Sequence, residues 1–487
     1  MIVDGIKVPT GVFIGGKWFN SQSRDIPVYN PANEELLTYV ASANEKHVEA
    51  AIDSAEKGLK IWKKTAPRER GEILRKAYQL MQDEKELIAK IITLEEGKTL
   101  AESKGEVNYA SEFFRWFSEQ AIQLNQTMSP APNGDKAIMV CQHPVGIAYL
   151  VTPWNFPAAM ATRKIAPALA AGCSVILKPA TETPLTALYI ADLLKRVGVP
   201  DGVVSVLPSI SARKVSQVMF ADERIAKLSF TGSTEVGRTL LHNAADRVVN
   251  TSMELGGNAP VIVLDDANLV KAVEQTLVAK IRNAGESCIA ANRIYVARNL
   301  YKSFYELLAT KMEQLNIGSG MDADVDVGPM VNKQTQSKVE HLVQDAVEKG
   351  ATLVIGGNSW RGKGFFCRPT VLCDLPSNCE ILEEEIFGPV AVVIPFDSEK
   401  EVVKLANDTP FGLAAYVMSE NIPRAVNVAK QIEAGVVGIN KGVISDPAAP
   451  FGGMKQSGIG REGGEMGMGE FLETQYIALD WPGSPNL

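Results

Sequence analysis

The sequence predicts an α/β protein made of two open, parallel-sheet domains. Two observations carry that prediction. From residue 147 onward, short apolar runs of strand length alternate with longer stretches of helical periodicity, the pattern of successive βαβ units. The alternation breaks once, at Glu254-Leu255-Gly256-Gly257, and then resumes, which places a domain boundary there. The length fits, since 487 residues exceed one core and suffice for two or three domains.

The elements follow in order. The first segment reads as helical, with Val48, Ile52, Ala55, Leu59 and Trp62 forming one apolar stripe. A second stripe runs from Ile73 through Leu74, Ala77, Leu80, Met81, Leu87 and Ile88 to Ile91 and Ile92, with Gly97 as its stop. A helix is expected at 108–124 and a strand at 137–142. Strands at 147–151, 174–177, 203–207, 226–230 and 248–253 then alternate with helices at 158–171, 185–197, 212–220 and 236–245. Beyond Pro260 come strands at 261–264, 293–296, 352–355 and 390–395. The helices of that half fall at 267–282, 301–314, 337–349 and 399–407, and a last strand at 471–479. Two such domains face each other across a cleft, where ligands of open α/β sheets bind.

Composition narrows the function. A hydrophobic fraction of 46% with 22% charged residues is ordinary globular usage, which excludes disorder. No apolar run is long enough to span a bilayer, and residues 1–15 lack the pattern of a secretory signal, so a cytoplasmic enzyme is expected. The net charge of −8 and the lack of a basic block argue against nucleic acid as a partner. Six cysteines without a C-x-x-C pair read as free thiols, and four histidines (His47, His143, His242, His341) without ligand spacing give no metal site.

Four places could carry chemistry. Cys288 follows a sharp turn at Gly285; it is either a nucleophile or a buried structural thiol, the role assigned to Cys141, Cys173, Cys367, Cys373 and Cys379. Glu254 ends an apolar strand before two glycines and is either a general base or a capping or salt-bridged carboxylate. The turn from Gly232 and Ser233 to Gly237 opens a helix, as a phosphate cradle or as a plain N-cap. In Thr152-Pro153-Trp154-Asn155-Phe156-Pro157 a rigid turn carries Asn155, whose amide could serve an oxyanion or simply the turn.

Taken together these segments resemble the aldehyde dehydrogenase superfamily. The resemblance rests on Pro153-Trp154-Asn155-Phe156-Pro157, Phe230-Thr231-Gly232-Ser233, Glu254-Leu255-Gly256-Gly257, the segment ending at Cys288, Glu384-Glu385-Ile386-Phe387-Gly388-Pro389 and Pro450-Phe451-Gly452-Gly453, in that order. It implies two Rossmann-like domains with a small β oligomerisation arm: residues 1–122 and 145–256 binding NAD(P), 257–456 catalytic, 123–144 and 465–487 the arm. It further implies Cys288 as nucleophile, Asn155 as oxyanion donor and Glu254 as the base that hydrolyses a thioester. Thr152, Pro153, Trp154, Lys178, Thr181, Gly232, Ser233, Leu255, Glu385 and Phe387 match cofactor-binding positions. A homodimer or homotetramer is expected through strands of the arm.

Within the superfamily the sequence is most similar to succinate-semialdehyde dehydrogenases. Arg163, Arg282 and Ser445 match that group's carboxylate-binding residues, so the expected substrate is a small aldehyde bearing a carboxylate. Alternatives are another or a broad-specificity semialdehyde dehydrogenase, an enzyme that passes the acyl group to coenzyme A, and a nicotinamide-independent cysteine hydrolase. Thr181 replaces a glutamate common in NAD-using relatives, so NADP is expected to be accepted alongside NAD, with Glu182 next to it as a complication. Glu286 stands where the family usually has glutamine and is expected to face solvent. Ala290 replaces a cysteine found in some semialdehyde enzymes, which removes a disulfide switch with Cys288.

Overall fold

The computed structural model describes residues 2–21, 23–124 and 126–480. Its core is two sheets, each covered by helices on both faces. The first has eight strands in the order Gly458–Ile459, Asn250–Glu254, Ile225–Thr231, Ile147–Val151, Ser174–Lys178, Val204–Val206, Val12–Ile14 and Lys17–Phe19. The five from Asn250–Glu254 to Val204–Val206 run parallel, and the outer strands add antiparallel. Strands such as Ser174–Lys178 are buried along their whole length, as a sheet covered on both faces requires.

The second sheet has seven strands in the order Thr352–Ile355, Thr370–Cys373, Val390–Phe396, Ala291–Ala297, Ala259–Val263, Ala414–Met418 and Val436–Ile439. All run parallel except Thr352–Ile355. A separate antiparallel sheet joins Thr127–Pro130, Ala137–Pro144 and Leu472–Leu479. The sheets are thus mixed and mostly parallel. Among the described residues no helix is long and apolar enough to cross a membrane.

Several elements differ from the sequence reading. Six short strands between Ile2–Val3 and Glu35–Val40 precede the first helix, Glu45–Trp62, whereas the Val48–Trp62 stripe predicts a first segment that is helical. They are two to six residues long and turn at glycines such as Gly15 and Gly16, too brief for a periodicity to register. The stripe across 73–92 is two helices, Pro67–Asp83 and Lys85–Glu96. They part at Glu84, whose carboxylate accepts from Arg196 at 2.6 and 2.8 Å and from the Tyr189 hydroxyl at 2.7 Å. The next helix begins earlier than read, at Leu100, behind a Thr99–Glu102 capping box. Within the segment 465–487 assigned to the arm, Met468 and Phe471 pack into the first core, while 481–487 lie outside the described residues, as do residues 1, 22 and 125.

Sequential order in the first sheet reverses beside Ile147–Val151, between Ser174–Lys178 on one side and Ile225–Thr231 on the other. Such a switch point opens a crevice at the carboxyl ends of its strands. Thr152–Asn155, Gly232–Ser233 and Glu254 emerge there.

Candidate active site

The Cys288 loop starts where helix Leu269–Ile281 ends. Asn283 (φ 55°), Ala284 (φ 51°) and Gly285 (φ 81°) turn left-handed in succession. At Gly285 a Cβ would lie 2.3 Å from the Gly388 carbonyl oxygen, so only glycine fits that approach. Asn283 and Ala284 carry the conformation at a cost, offset by bonds that hold the turn. The Glu102 carboxylate accepts from the Asn283 N–H at 2.6 Å, and the Asn283 side-chain amide donates to the main-chain oxygens of Asn155 and Glu286 at 2.9 and 3.2 Å.

This turn presents Cys288, half-buried, to a cleft of about 520 Å³ between the two sheets. Burial, reinforced by the Glu385 carboxylate and opposed by Arg163, pushes its thiol up to about 12. Asn155 lies on the same wall. It is buried; its Nδ2 donates to the Glu286 main-chain oxygen at 3.0 Å, and its own carbonyl accepts from Lys98 Nζ at 2.6 Å. One N–H of the Asn155 amide remains for a ligand.

Glu254 closes the far side. It ends strand Asn250–Glu254, is 3% exposed, and its Oε2 makes no hydrogen bond among the described residues. Burial first and the Glu462 charge second hold its carboxyl well above the usual range, with Arg163 and Lys164 opposing. Glu462 sits between Arg163 Nε, 3.1 Å from its Oε2, and Lys164 Nζ, bonded to its Oε1.

Ten of the residues singled out in the sequence border the cleft: Pro153, Trp154, Asn155, Gly232, Ser233, Glu254, Leu255, Cys288, Glu385 and Phe387. Ser233 both borders it and caps helix Thr234–Ala245, so the two readings of that turn coexist. The Glu385 carboxylate accepts from the Gly257 N–H at 3.1 Å, and burial raises it to about 7. The Phe387 ring meets Trp154 edge-on, centroids 5.5 Å apart.

Six do not line it. Thr152 and Lys178 are buried beside it: the Thr152 N–H donates to the Lys178 carbonyl at 3.2 Å, and Lys178 Nζ donates to the Pro179 carbonyl at 3.0 Å. The Thr181 hydroxyl donates at 3.1 Å to Glu182, which does line the cleft. Arg163 stands behind the wall, its guanidinium 4.3 Å from the Phe451 ring centroid. Arg282 is half-buried, 5.0 Å from the Phe156 ring centroid, and has no salt-bridge partner among the described residues. Ser445 sits half-buried in the loop beyond Gly442, which packs on helix Leu269–Ile281 through Gln275.

Glu286 corrects the sequence reading. It does not face solvent: it is 1% exposed and its Oε1 accepts from the Val331 N–H at 3.1 Å. The left-handed turn before it points the side chain inward. Lys98, Lys164, Glu106 and Glu462 were missed. An Arg163-Lys164 pair inside the otherwise apolar helix Pro157–Ala171 was the available signal, because two buried cations demand an acid. Asn332, Gln334, Thr335 and Lys338, which line the opposite wall, gave no signal of their own.

Comparison with known proteins shows the family and the fold. The model of the aldehyde dehydrogenase family matches residues 18–477. The succinate-semialdehyde dehydrogenase (NADP+) GabD of Escherichia coli (strain K12) is 45% identical over 467 residues, covering 96% of this chain and 97% of that protein. The glutarate-semialdehyde dehydrogenase of Pseudomonas aeruginosa is 44% identical over 468 residues, covering 96% and 97%. The crystal structure of succinate-semialdehyde dehydrogenase from Burkholderia pseudomallei matches with a TM-score of 0.95 at 42% identity, covering 97% of this chain and 98% of that one.

Proposed function

Because the chain belongs to the aldehyde dehydrogenase family, we propose that it oxidises a small aldehyde carrying a distal carboxylate, succinic semialdehyde first, with NADP or NAD as oxidant. The observation that carries this reading is the meeting of Cys288, Asn155 and Glu254 at one cleft on the switch-point edge of the first sheet.

The residues present fit a nicotinamide dinucleotide. The buried hydroxyls of Thr231 and Thr234 find no hydrogen-bond partner among the described residues beside the Ser233-capped helix start, and Glu385 lines the cleft. Lys178 and Glu182 would hold the adenosine ribose, Glu385 the nicotinamide ribose, and Trp154 and Phe387 would border the ring. When bound, the nicotinamide takes up the hydrogen and two electrons that leave the aldehyde carbon.

The chain's own residues supply the rest. Cys288 Sγ, once deprotonated, attacks the aldehyde carbon and forms a C–S bond. The free N–H of Asn155 and the Cys288 main-chain N–H stabilise the resulting oxyanion, each such donor being worth about 10²–10³ in rate. After oxidation a thioester remains on Cys288. Glu254 takes a proton from water, the hydroxide adds to the thioester carbon, the C–S bond breaks, and Cys288 is regenerated.

Arg282, without an acid partner and lying against Phe156, supports recognition of the substrate carboxylate, and Arg163 adds positive potential behind the nucleophile. The semialdehyde names of the relatives support the same substrate class and leave chain length open between succinic and glutaric semialdehyde. None of the four histidines lines the cleft, which disfavours a cysteine hydrolase. We also infer a homodimer or homotetramer, supported by the small sheet whose strand Thr127–Pro130 is exposed throughout, with light scattering as the test. The free cysteines support a cytoplasmic setting.

One assay tests the function. The protein is mixed with NAD or NADP and succinic semialdehyde, glutaric semialdehyde or an uncharged aldehyde, with and without coenzyme A. Reduced nicotinamide is expected fastest with a carboxylate-bearing aldehyde and without a coenzyme A requirement. Equal turnover of the uncharged aldehyde would remove the substrate assignment.

A further inference from the structure

Phe156 is seated by its neighbours on both sides. It precedes Pro157, whose ring disfavours helical backbone at the residue before it, and it caps helix Pro157–Ala171 at φ −137° and ψ 72°. On its other side, the Asn155 carbonyl accepts from Lys98 Nζ at 2.6 Å and from the Asn283 side-chain amide at 2.9 Å. The Phe156 ring, 7% exposed, thus occupies one fixed place next to a residue that borders the cleft. Two cations lie over it: Lys98 Nζ is 3.9 Å and the Arg282 guanidinium carbon 5.0 Å from its centroid.

The two cations differ in what they have left to give. The Lys98 ammonium is fully buried and committed, to Glu106 at 2.7 Å and to the Asn155 carbonyl. Arg282 is half-buried, and its guanidinium makes no hydrogen bond or ion pair among the described residues. Its backbone is nevertheless held, because the next N–H, that of Asn283, donates to the Glu102 carboxylate at 2.6 Å. An acid beside Arg282 would occupy its N–H groups and cancel its charge. A ring attracts the cation through its face and occupies none of them, so the planar fork keeps its five donors.

We propose that Phe156 is a specificity-determining residue for the distal carboxylate: its ring holds the Arg282 guanidinium in place without consuming the donors that a two-oxygen anion needs. The inference rests on the reading that Arg282 receives the substrate carboxylate, and adds what orders that arginine before substrate arrives. Holding a long side chain ready lowers the entropy lost on binding. Asn155 and Phe156 are consecutive, as are Arg282 and Asn283, and the Asn155 carbonyl accepts from the Asn283 amide. The donor for the aldehyde oxygen and the platform for the carboxylate therefore share one braced turn, which fixes their separation and with it the length of aldehyde that suits both.

The test is a double-mutant cycle read as a ratio, kcat/KM on succinic semialdehyde over kcat/KM on butanal, which lacks the acid. Phe156→Leu is expected to lower that ratio by about two- to fivefold, what a ring-face contact with a partly exposed cation is worth. In the Arg282→Ala background the same substitution is expected to leave the ratio where Arg282→Ala put it. A ring that serves packing alone would slow both aldehydes together. An unchanged ratio in Phe156→Leu, or an equal fall in both backgrounds, would overturn the inference while leaving the effect of Arg282→Ala itself in place. If Arg282→Ala alone does not move the ratio, the substrate reading fails first and the inference falls with it. Should Phe156→Leu not fold, Phe156→Met, flexible enough to fill the space of the ring, decides in its place.

Discussion

Arg163 Nε lies 3.1 Å from Glu462 Oε2, and both side chains are almost fully buried. The other guanidinium nitrogens donate to the Tyr109 hydroxyl oxygen at 3.2 Å and to the Met160 sulfur at 3.7 Å. Arg163 is therefore paired within the protein, whereas Arg282 forms no salt bridge among the described residues. The two arginines, equivalent as sequence motifs, separate in structure.

Truncating each should give different results. Arg163→Ala leaves the Glu462 carboxylate short of a partner in a buried site and is expected to cost about 3 kcal/mol of stability, with turnover lost on every aldehyde. Arg282→Ala is expected to lower kcat/KM on succinic semialdehyde by about 10–100-fold and on an uncharged aldehyde by less than about threefold, the value of a charge-assisted hydrogen bond or two. Parallel kinetics on the two aldehydes, with melting curves, check this. Equal losses for Arg282→Ala would remove it from substrate recognition.

Asn155→Ala should reduce kcat by about 10²–10³. Part of that loss comes from the Glu286 carbonyl, which then keeps only Asn283 as donor. Single-turnover measurement of reduced nicotinamide locates the defect in the acylation step; an unchanged acylation rate would be the contrary outcome.

In the proposed mechanism Glu254 governs the pH dependence. Its carboxyl is raised by burial and by Glu462, yet the base form is the one that would activate water. Turnover is therefore expected to climb as pH rises through that raised value. Glu254→Gln should give one equivalent of reduced nicotinamide per active site and then stop. Stability runs the other way. Since the folded value stands above the unfolded one, the acid's contribution is complete below the ordinary carboxylate pKa and is lost as pH rises through the raised value. Urea titrations at several pH values should show a smaller alkaline loss in Glu254→Gln.

Glu182 lines the cleft and accepts from the Thr181 hydroxyl; if the proposed adenosine ribose lies there, its carboxylate would repel a 2′-phosphate. Glu182→Gln is expected to tighten NADP binding by about three- to tenfold and leave NAD nearly unchanged. Quenching of Trp154 fluorescence gives both dissociation constants without substrate. No gain for NADP would assign the preference to Lys178 and Thr181 alone.

Legibility followed burial and distance. Ser174–Lys178 and Ala259–Val263 stood out as unbroken apolar runs because both faces are covered. Ile26–Asn30 did not: it alternates over five residues and includes Pro27. Ala414–Met418 was missed because two of its five residues are alanines, which carry no strand preference. In the site, the glycine- and proline-marked turns singled out Cys288, Asn155 and Glu254 but left a structural role open for each; only the resemblance of the six segments together implied their chemistry. The inward course of Glu286 was not, since it follows from left-handed Asn283 and Ala284, residues that rarely announce that conformation. Glu462 was invisible as a partner because 298 positions separate it from Lys164.

That separation bears on how the protein is made. Strand Gly458–Ile459 pairs antiparallel to complete the edge of a sheet whose parallel strands end at Glu254, and Leu472–Leu479 pairs with Ala137–Pro144. A ribosome that has translated four-fifths of this message therefore holds a cation pair without its acid and a hairpin without its third strand. Nascent chains released early should be inert and sticky, so catalytic competence doubles as a signal that translation has finished.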